Sequence, residues 1–397
     1  MAEQLENVKT ISSTDVAFAA LLQDGRVVSW GSNRRDHWHE EDNGIVQPQL
    51  KGVQTIFSTG GAFAALLQDG SVATWGDPDY GGDSSSVQLQ LNKVKTIFSN
   101  DFAFAALKQD GSVVTWGMGW SGGDSSAVQS QLTHVKQIFN TYSAFAALKQ
   151  DGSVVTWGYN QQGGDSSSVQ PQLNNVQTIF CNASNCAALK QDSSVVTWGG
   201  NTSGWNNSVQ PPLKGVQTIF STVSAFAALL QDGSVVTWGN DPYGGNSSSV
   251  QPQLNNVQTI SSHVSAFAAL KQDGNVVTWG YDPYGGDSSS VQSQLKSVQS
   301  IFSTGNAFAA LKQDGSVVTW GSNPHGGDSS SVHSLLSNVQ TIFNTNLAFA
   351  ALKQDGSVVT WGRSSDGGDS SSVQSQLNKV QTIFSTLSAF AALLEPQ

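Results

Sequence analysis

Two cysteines, two methionines and ten prolines are spread over 397 residues, and only 12% of the residues carry charge. Two cysteines are too few for a disulfide framework. Cys181 and Cys186 stand where a sister segment has Ser221 and Phe226. They read as two free thiols of a reducing compartment, the alternative being a bridge across the short loop between them. No apolar run approaches the ~20 residues of a membrane-spanning helix, and the recurrent Ala-Phe-Ala-Ala-Leu segments are five residues long. No membrane insertion is therefore expected. Lysine and arginine number 18 against 29 acidic residues, a net charge of −11. A basic stripe of the kind that binds nucleic acid is missing, so no nucleic-acid partner is expected. Met1 to Glu6 lack the charged-then-apolar pattern of a secretory leader, which points to an intracellular, cytoplasmic protein, with organelles left open.

What the chain has in abundance is repetition. A phrase close to Ala-Phe-Ala-Ala-Leu-x-Gln-Asp-Gly-Ser-Val-Val-Thr-Trp-Gly occurs nine times, ending at Trp30, Trp75, Trp116, Trp157, Trp198, Trp238, Trp279, Trp320 and Trp361. Successive tryptophans are 45, 41, 41, 41, 40, 41, 41 and 41 residues apart. A period near 40 marks a solenoid, propeller or array and overrides the two or three domains that the length alone suggests. Residues 1–397 read as one repeat domain of nine Trp-Gly units, with a loop insertion at 34–43 and a partial tenth unit at 380–394. The nine tryptophans are read as structural, because a residue present in every copy builds the copy.

Each unit reads as a small antiparallel sheet. In the sixth, Val216 to Phe220 is a first strand, Ala225 to Leu230 a second and Val235 to Gly239 a third. Asp232-Gly233 between apolar runs signals a hairpin, expected as a type I′ turn. Val250 to Leu254 is either a short fourth, outer strand or extended chain. The second strand is apolar on both faces, with Phe226 and Ala228 on one and Ala227 and Leu229 on the other. Such a strand must be covered on both sides, which stacking of copies achieves. The fold class expected is all-β: a β-propeller of about nine short antiparallel blades, or an open superhelical stack of the same units. Both ends of the chain carry first and second strands, so the termini duplicate one another.

The run from Ile301 to Asn323, preceded by Val298, resembles the regulator-of-chromosome-condensation repeat, a β-propeller family with an Asp-Gly hairpin, a following Trp-Gly and a Gly-rich loop. The resemblance covers essentially the whole chain. It departs from the family in three ways. The unit is shorter, Ser303 to Ala307 replaces the Gly-x-x-His before the second strand, and Gly326 to Ser330 replaces Gly-Gln-Leu-Gly. The resemblance implies binding and scaffolding. Relatives include a nucleotide-exchange factor for a small GTPase, ubiquitin-ligase-linked subunits and a plant ultraviolet-B photoreceptor. The photoreceptor's Gly-Trp-Arg-His-Thr motif is missing here, and shared fold does not carry function.

The copies differ mainly in two loops. One joins the first and second strands, as at Asp101-Phe102 and Tyr142-Ser143; the other follows Trp-Gly, as at Asp77 to Tyr80 and Tyr159 to Gln162. In a meander both emerge at the same edge, so the variable loops gather on one face. The residues expected to bind there are Tyr80, Trp120, Tyr142, Tyr243, Tyr284 and His325, with Trp38 of the first-unit insertion. The opposite edge carries hairpins in which Lys108, Lys149, Lys190, Lys271, Lys312 and Lys353 precede an aspartate by two, read as a solvated charged rim. His37 and His39 beside two glutamates are too few for a metal assignment. The Gly-Gly-Asp-Ser-Ser loops lack the lysine of a phosphate loop and the convergent carboxylates of a calcium site. They read as turns whose Asp and Ser bond nearby amides. No nucleophile–base pairing is legible. The sequence therefore points to a non-enzymatic interaction or scaffold protein with a protein partner and no metal or cofactor. The alternatives are a structural subunit of a large assembly, or a nucleotide-exchange or other regulatory role implied by the resemblance.

Overall fold

The computed structural model describes residues 7–32, 50–200, 205–206 and 213–394. The protein is all-β, built of repeated antiparallel sheets, and its only helical pieces among the described residues are short 3-10 turns. The repeats fall into two compact units. One holds Met1–Gln191 with Val195–Asn201, the other Asp192–Ser194 with Thr202–Gln397. No helix among the described residues is long and apolar enough to cross a membrane.

The second repeat shows the build. Val53–Ser58, Ala62–Leu67 and Val72–Gly76 form a meander. Ile56 faces Ala65 across the first ladder and Phe63 faces Trp75 across the second. A register shift between Val53 and Thr55 bulges the first strand, and the same shift recurs in the later repeats, as between Val94 and Thr96. The residue before the first strand is left-handed throughout: Lys93, His134, Asn175, Asn256, Ser297, Asn338 and Lys379 have φ between 51° and 56°, and Gly52 and Gly215 fill the place elsewhere.

Both faces of the second strand are used. Ala62, Ala64 and Leu66 pack forward on Phe104, Ala106 and Trp116 of the third repeat. Phe63 and Ala65 pack back on Ala17, Ala19 and Leu21 of the first. The alanines leave room for the neighbouring sheet's phenylalanine and tryptophan, and each buried phenylalanine contributes roughly 2 kcal/mol of transfer free energy. Within each compact unit the core is thus a series of clusters between consecutive sheets.

Three sequence expectations change. The hairpin is not type I′. Gly70 N–H donates to Leu67 at 3.0 Å and Leu67 N–H to Ser71 at 2.9 Å. Only Gly70, not Asp69, has positive φ, at 80°. This is a three-residue loop, a type I turn closed by a left-handed glycine in a bulge. Its glycine carbonyl then accepts from Val94 N–H of the next repeat at 2.9 Å.

The segment at Val250 to Leu254 is neither an outer strand nor extended chain. It contains a 3-10 turn, Gln251–Gln253. The side chains explain why. Thr237 Oγ1 donates to Ser247 Oγ at 3.0 Å, Ser247 Oγ to Gln251 Oε1 at 2.8 Å, and Gln251 Nε2 to the Val235 carbonyl at 2.9 Å. A glutamine side-chain amide thus takes the Val235 carbonyl that this segment would bind if it ran as a strand beside Val235.

Cys181 and Cys186 form a disulfide rather than remaining free thiols. They are register partners across the first ladder of the fifth repeat, with Cα atoms 4.0 Å apart. Strand pairing alone therefore brings the two sulfurs together.

Candidate binding face

The two variable loops do meet at one edge. Thr59 Oγ1 donates to the Tyr80 carbonyl at 2.9 Å, Met118 N–H to Phe102 at 3.1 Å and Tyr159 N–H to Ser143 at 2.9 Å. Each bond ties a strand-joining loop to the loop after Trp-Gly in the same repeat. Neighbouring repeats are then laced together. Asp15 N–H donates to the Gly60 carbonyl at 3.0 Å, Gly60 N–H to Asp101 at 2.9 Å and Tyr142 N–H to Ala183 at 3.0 Å. In the other unit Val223 N–H reaches Val264 at 3.1 Å, and Asn346 N–H reaches Leu387 at 2.8 Å. The face is a backbone ladder that holds its side chains in fixed register.

In the first unit that register builds an aromatic ridge. Tyr80 stacks on Phe102 with ring centres 5.4 Å apart, and Phe102 meets Trp120 at 5.6 Å and the edge of Tyr142 at 5.1 Å. Trp120 continues to Tyr159 at 5.7 Å. Trp120, Tyr142 and Tyr159 remain 56%, 44% and 40% exposed, so their outer surfaces face solvent while their inner ones touch one another. Three of the expected residues, Tyr80, Trp120 and Tyr142, are therefore brought together. The residue that joins them, Phe102, and the end of the ridge, Tyr159, were visible as loop aromatics but not as members of a cluster. The signal that could have found them was the 41-residue offset, which places Phe102 between Gly61 and Ser143 in consecutive loops.

The second unit is different. Tyr243 is exposed, and Tyr284 is half-buried with its ring meeting Tyr281 edge-on at 5.0 Å. His325 turns into its own loop, its Nδ1 within 3.0 Å of Ser322 Oγ and 3.2 Å of Asn306 Nδ2. Trp38, His37 and His39 lie outside the described residues. His263 is 9% exposed, and its Nε2 lies 2.6 Å from the Tyr284 carbonyl. Burial pushes its pKa down to about 4, so the ring is neutral at pH 7, with Nε2 donating.

The repeated polar groups are structural. The Asp83 carboxylate accepts from Ser85 N–H at 2.8 Å, and that bond holds it below the usual carboxylate range. On the hairpin rim, Asp314 accepts from Ser316 N–H at 3.0 Å and Ser316 Oγ at 2.6 Å, while Lys312 Nζ stays 3.6 Å from its other oxygen. These aspartates serve their own turns first.

No family model matches the chain, and no curated protein sequence matches it. Among solved structures it is similar to yeast RCC1 (Prp20) bound to Kap60, at 19% identity over 58% of this chain and 70% of that one, TM-score 0.37. Prp20p from Saccharomyces cerevisiae, in a structure reported with its binding properties to Gsp1p and histones, matches at 18% identity over 71% and 84%, TM-score 0.37. The ectodomain of the Physcomitrella patens receptor kinase CR4 matches at 17% identity over 67% and 72%, TM-score 0.39. In its repeated unit, the chain is similar to RCC1-type repeat β-propeller proteins.

Proposed function

We propose that this protein is a non-enzymatic interaction module that holds a protein partner on the aromatic ridge of its first unit. The observation that carries the reading is the contact series Tyr80–Phe102–Trp120–Tyr159, with Tyr142 also against Phe102, on a hydrogen-bonded loop ladder. Rings that brace one another lose little rotamer freedom on binding, and exposed Trp and Tyr are the side chains that dominate protein interfaces. The phenol and indole polar groups leave the ridge able to satisfy hydrogen-bonding groups of a partner.

The test is a pull-down from native extract with the intact chain against a variant carrying Trp120→Ala, Tyr142→Ala and Tyr159→Ala. These three are the outer rings, so their loss leaves the inter-sheet core intact. A partner retained by the intact chain and lost with the variant supports the reading. Identical capture by both overturns it.

A further inference from the structure

Among the described residues, the third strand of every complete repeat but the sixth is an edge strand, because those sheets stop at three. Val154–Gly158 carries no charge and no proline, the usual devices that blunt an exposed edge. Its pairing phase is settled by the hairpin, where Lys149 N–H bonds the Ser153 carbonyl. Residues 153, 155 and 157 therefore bond inward, and Val154, Thr156 and Gly158 turn their backbone groups out. The Val154 carbonyl takes Gln170 Nε2 at 3.0 Å. Thr156 and Gly158 line a groove, with Gly164 of the following loop lying close over the Gly158 carbonyl.

That groove recurs. Cavities of about 550, 650 and 540 Å³ lie along Val154–Gly158, Val317–Gly321 and Val358–Gly362, each lined by the whole edge strand. Each is also lined by loop aspartates from the repeat before and from the same repeat: Asp124 with Asp165, Asp282 and Asp287 with Asp328, and Asp328 with Asp369. No lysine or arginine lines any of the three. The chain itself shows what such an edge accepts. In the sixth repeat the segment Trp205–Asn206 pairs antiparallel with the third strand, Trp205 opposite Asn240 and Asn206 opposite Gly239. That sheet has four strands where its sisters have three.

We propose that the three grooves take an extended peptide bearing lysine or arginine as a fourth antiparallel strand. Main-chain bonds to the Thr156 and Gly158 positions, and their counterparts, supply the pairing, and the paired aspartates select positive side chains. A second copy of this chain is a poorer occupant, since edge-to-edge pairing would set aspartates against aspartates. This site is separate from the aromatic ridge and does not rest on it.

The probe is a fluorescein-labelled Lys-Thr-Lys-Val-Lys-Thr peptide added to the full chain. Two controls are the same peptide N-methylated at alternate amides and a glutamate-for-lysine version. Binding is read by anisotropy, and its place by hydrogen–deuterium exchange of the three edge strands. The expected result is binding of the first peptide, slower exchange at the edge strands, and at least ~10-fold weaker binding of both controls. Asp124→Asn with Asp165→Asn should then relax protection at Val154–Gly158 and leave that at Val317–Gly321 unchanged. Equal binding of the N-methylated peptide would mean charge attraction alone and would overturn the proposal. So would no binding of any peptide, unchanged protection in the asparagine variant, or concentration-dependent protection of the edges without peptide, which would assign them to self-association.

Discussion

The indole Nε1 of Trp116 donates to the main-chain carbonyl of Gly81 at 3.1 Å, across the boundary between consecutive repeats. Trp157 and Gly122, Trp198 and Gly163, Trp279 and Gly244, Trp320 and Gly285, and Trp361 and Gly326 make the same bond at 3.1–3.2 Å. The repeated Trp and the first glycine of the repeated Gly-Gly are thus one device. The glycine turns left-handed, presents its carbonyl to the next repeat's indole and leaves room for the next repeat's phenylalanine.

That device can be tested against a glycine that shares only half of it. A Cβ on Gly122 would sit 2.6 Å from Phe145 Cδ2, at φ +98°. Gly52 also has positive φ, +69°, but a Cβ there meets nothing within 4 Å. Gly52→Ala should cost about 1 kcal/mol through the backbone alone. Gly122→Ala adds overpacking of a buried ring and should cost ~2–4 kcal/mol. Urea denaturation of the two variants checks the ordering, and equal losses would show that Phe145 yields at no cost.

The fifth repeat departs from its sisters at the hairpin. Ser193 occupies the bulge position at φ +62°, where Gly152 and Gly233 stand at +79° and +78°. A non-glycine residue pays for that conformation, so Ser193→Gly should raise stability by ~0.5–1 kcal/mol. Thermal melting reads the gain. The reciprocal Gly152→Ser should lower the melting temperature.

Much of this was legible because periodic residues do periodic work. The two-faced second strand followed from Phe226 and Ala228 alternating with Ala227 and Leu229: Ala227 and Leu229 join the cluster shared with the next repeat, while Phe226 and Ala228 are equally buried outside it. The shared edge of the variable loops followed from meander geometry. What escaped were outcomes decided by competition between local bonds. Asp-Gly is compatible with two hairpins, and Ser71 N–H binding to Asp69 Oδ1 at 2.9 Å belongs to the one with Asp at negative φ. The Val250 segment has a β-branched start, yet Gln251 satisfies the Val235 carbonyl more directly than a strand could. The disulfide stood only as the second reading because compartment was weighed and register was not. Phe102 escaped because a lone aromatic in one loop becomes a ridge only when neighbouring loops are placed beside it.

The disulfide yields its own prediction. Cys186 replaces the phenylalanine that elsewhere stacks on the indole, as Phe145 does on Trp157 at 5.3 Å. Closing so short a loop stabilises by about 2 kcal/mol on chain-entropy grounds. Reductant should therefore lower the melting temperature of the native chain. The double variant Cys181→Ser, Cys186→Phe restores the sister residues and should melt at the same temperature with or without reductant. A native melt that ignores reductant would show that the bond contributes nothing beyond the strand pairing.

His263 stands where Thr59 and Thr222 stand in sister repeats and performs the same service. Its Nε2 bonds the Tyr284 carbonyl, and its Nδ1 accepts from Ser265 N–H at 3.2 Å. Its ring lies 4.4 Å from that of Phe308. Both nitrogens are committed and the ring is buried, so a proton on Nδ1 has no acceptor there. Burial, opposed by the Tyr284 bond, lowers its pKa from 6.5 to about 4. The unfolded chain therefore binds more protons between these values. Stability is full above pH 6.5 and falls as the solution is acidified toward pH 4, by ~3 kcal/mol in all. The turn aspartates, whose pKa values lie below 3.8, lose their contribution mainly at lower pH, so this window belongs to the histidine. His263→Thr supplies an oxygen that can make both bonds, as Thr222 does to the Tyr243 carbonyl at 3.0 Å and from Ala225 N–H at 2.9 Å. Urea midpoints from pH 7 to pH 4.5 should decline for the native chain and stay nearly level for the threonine variant. Parallel declines would place the acid sensitivity elsewhere.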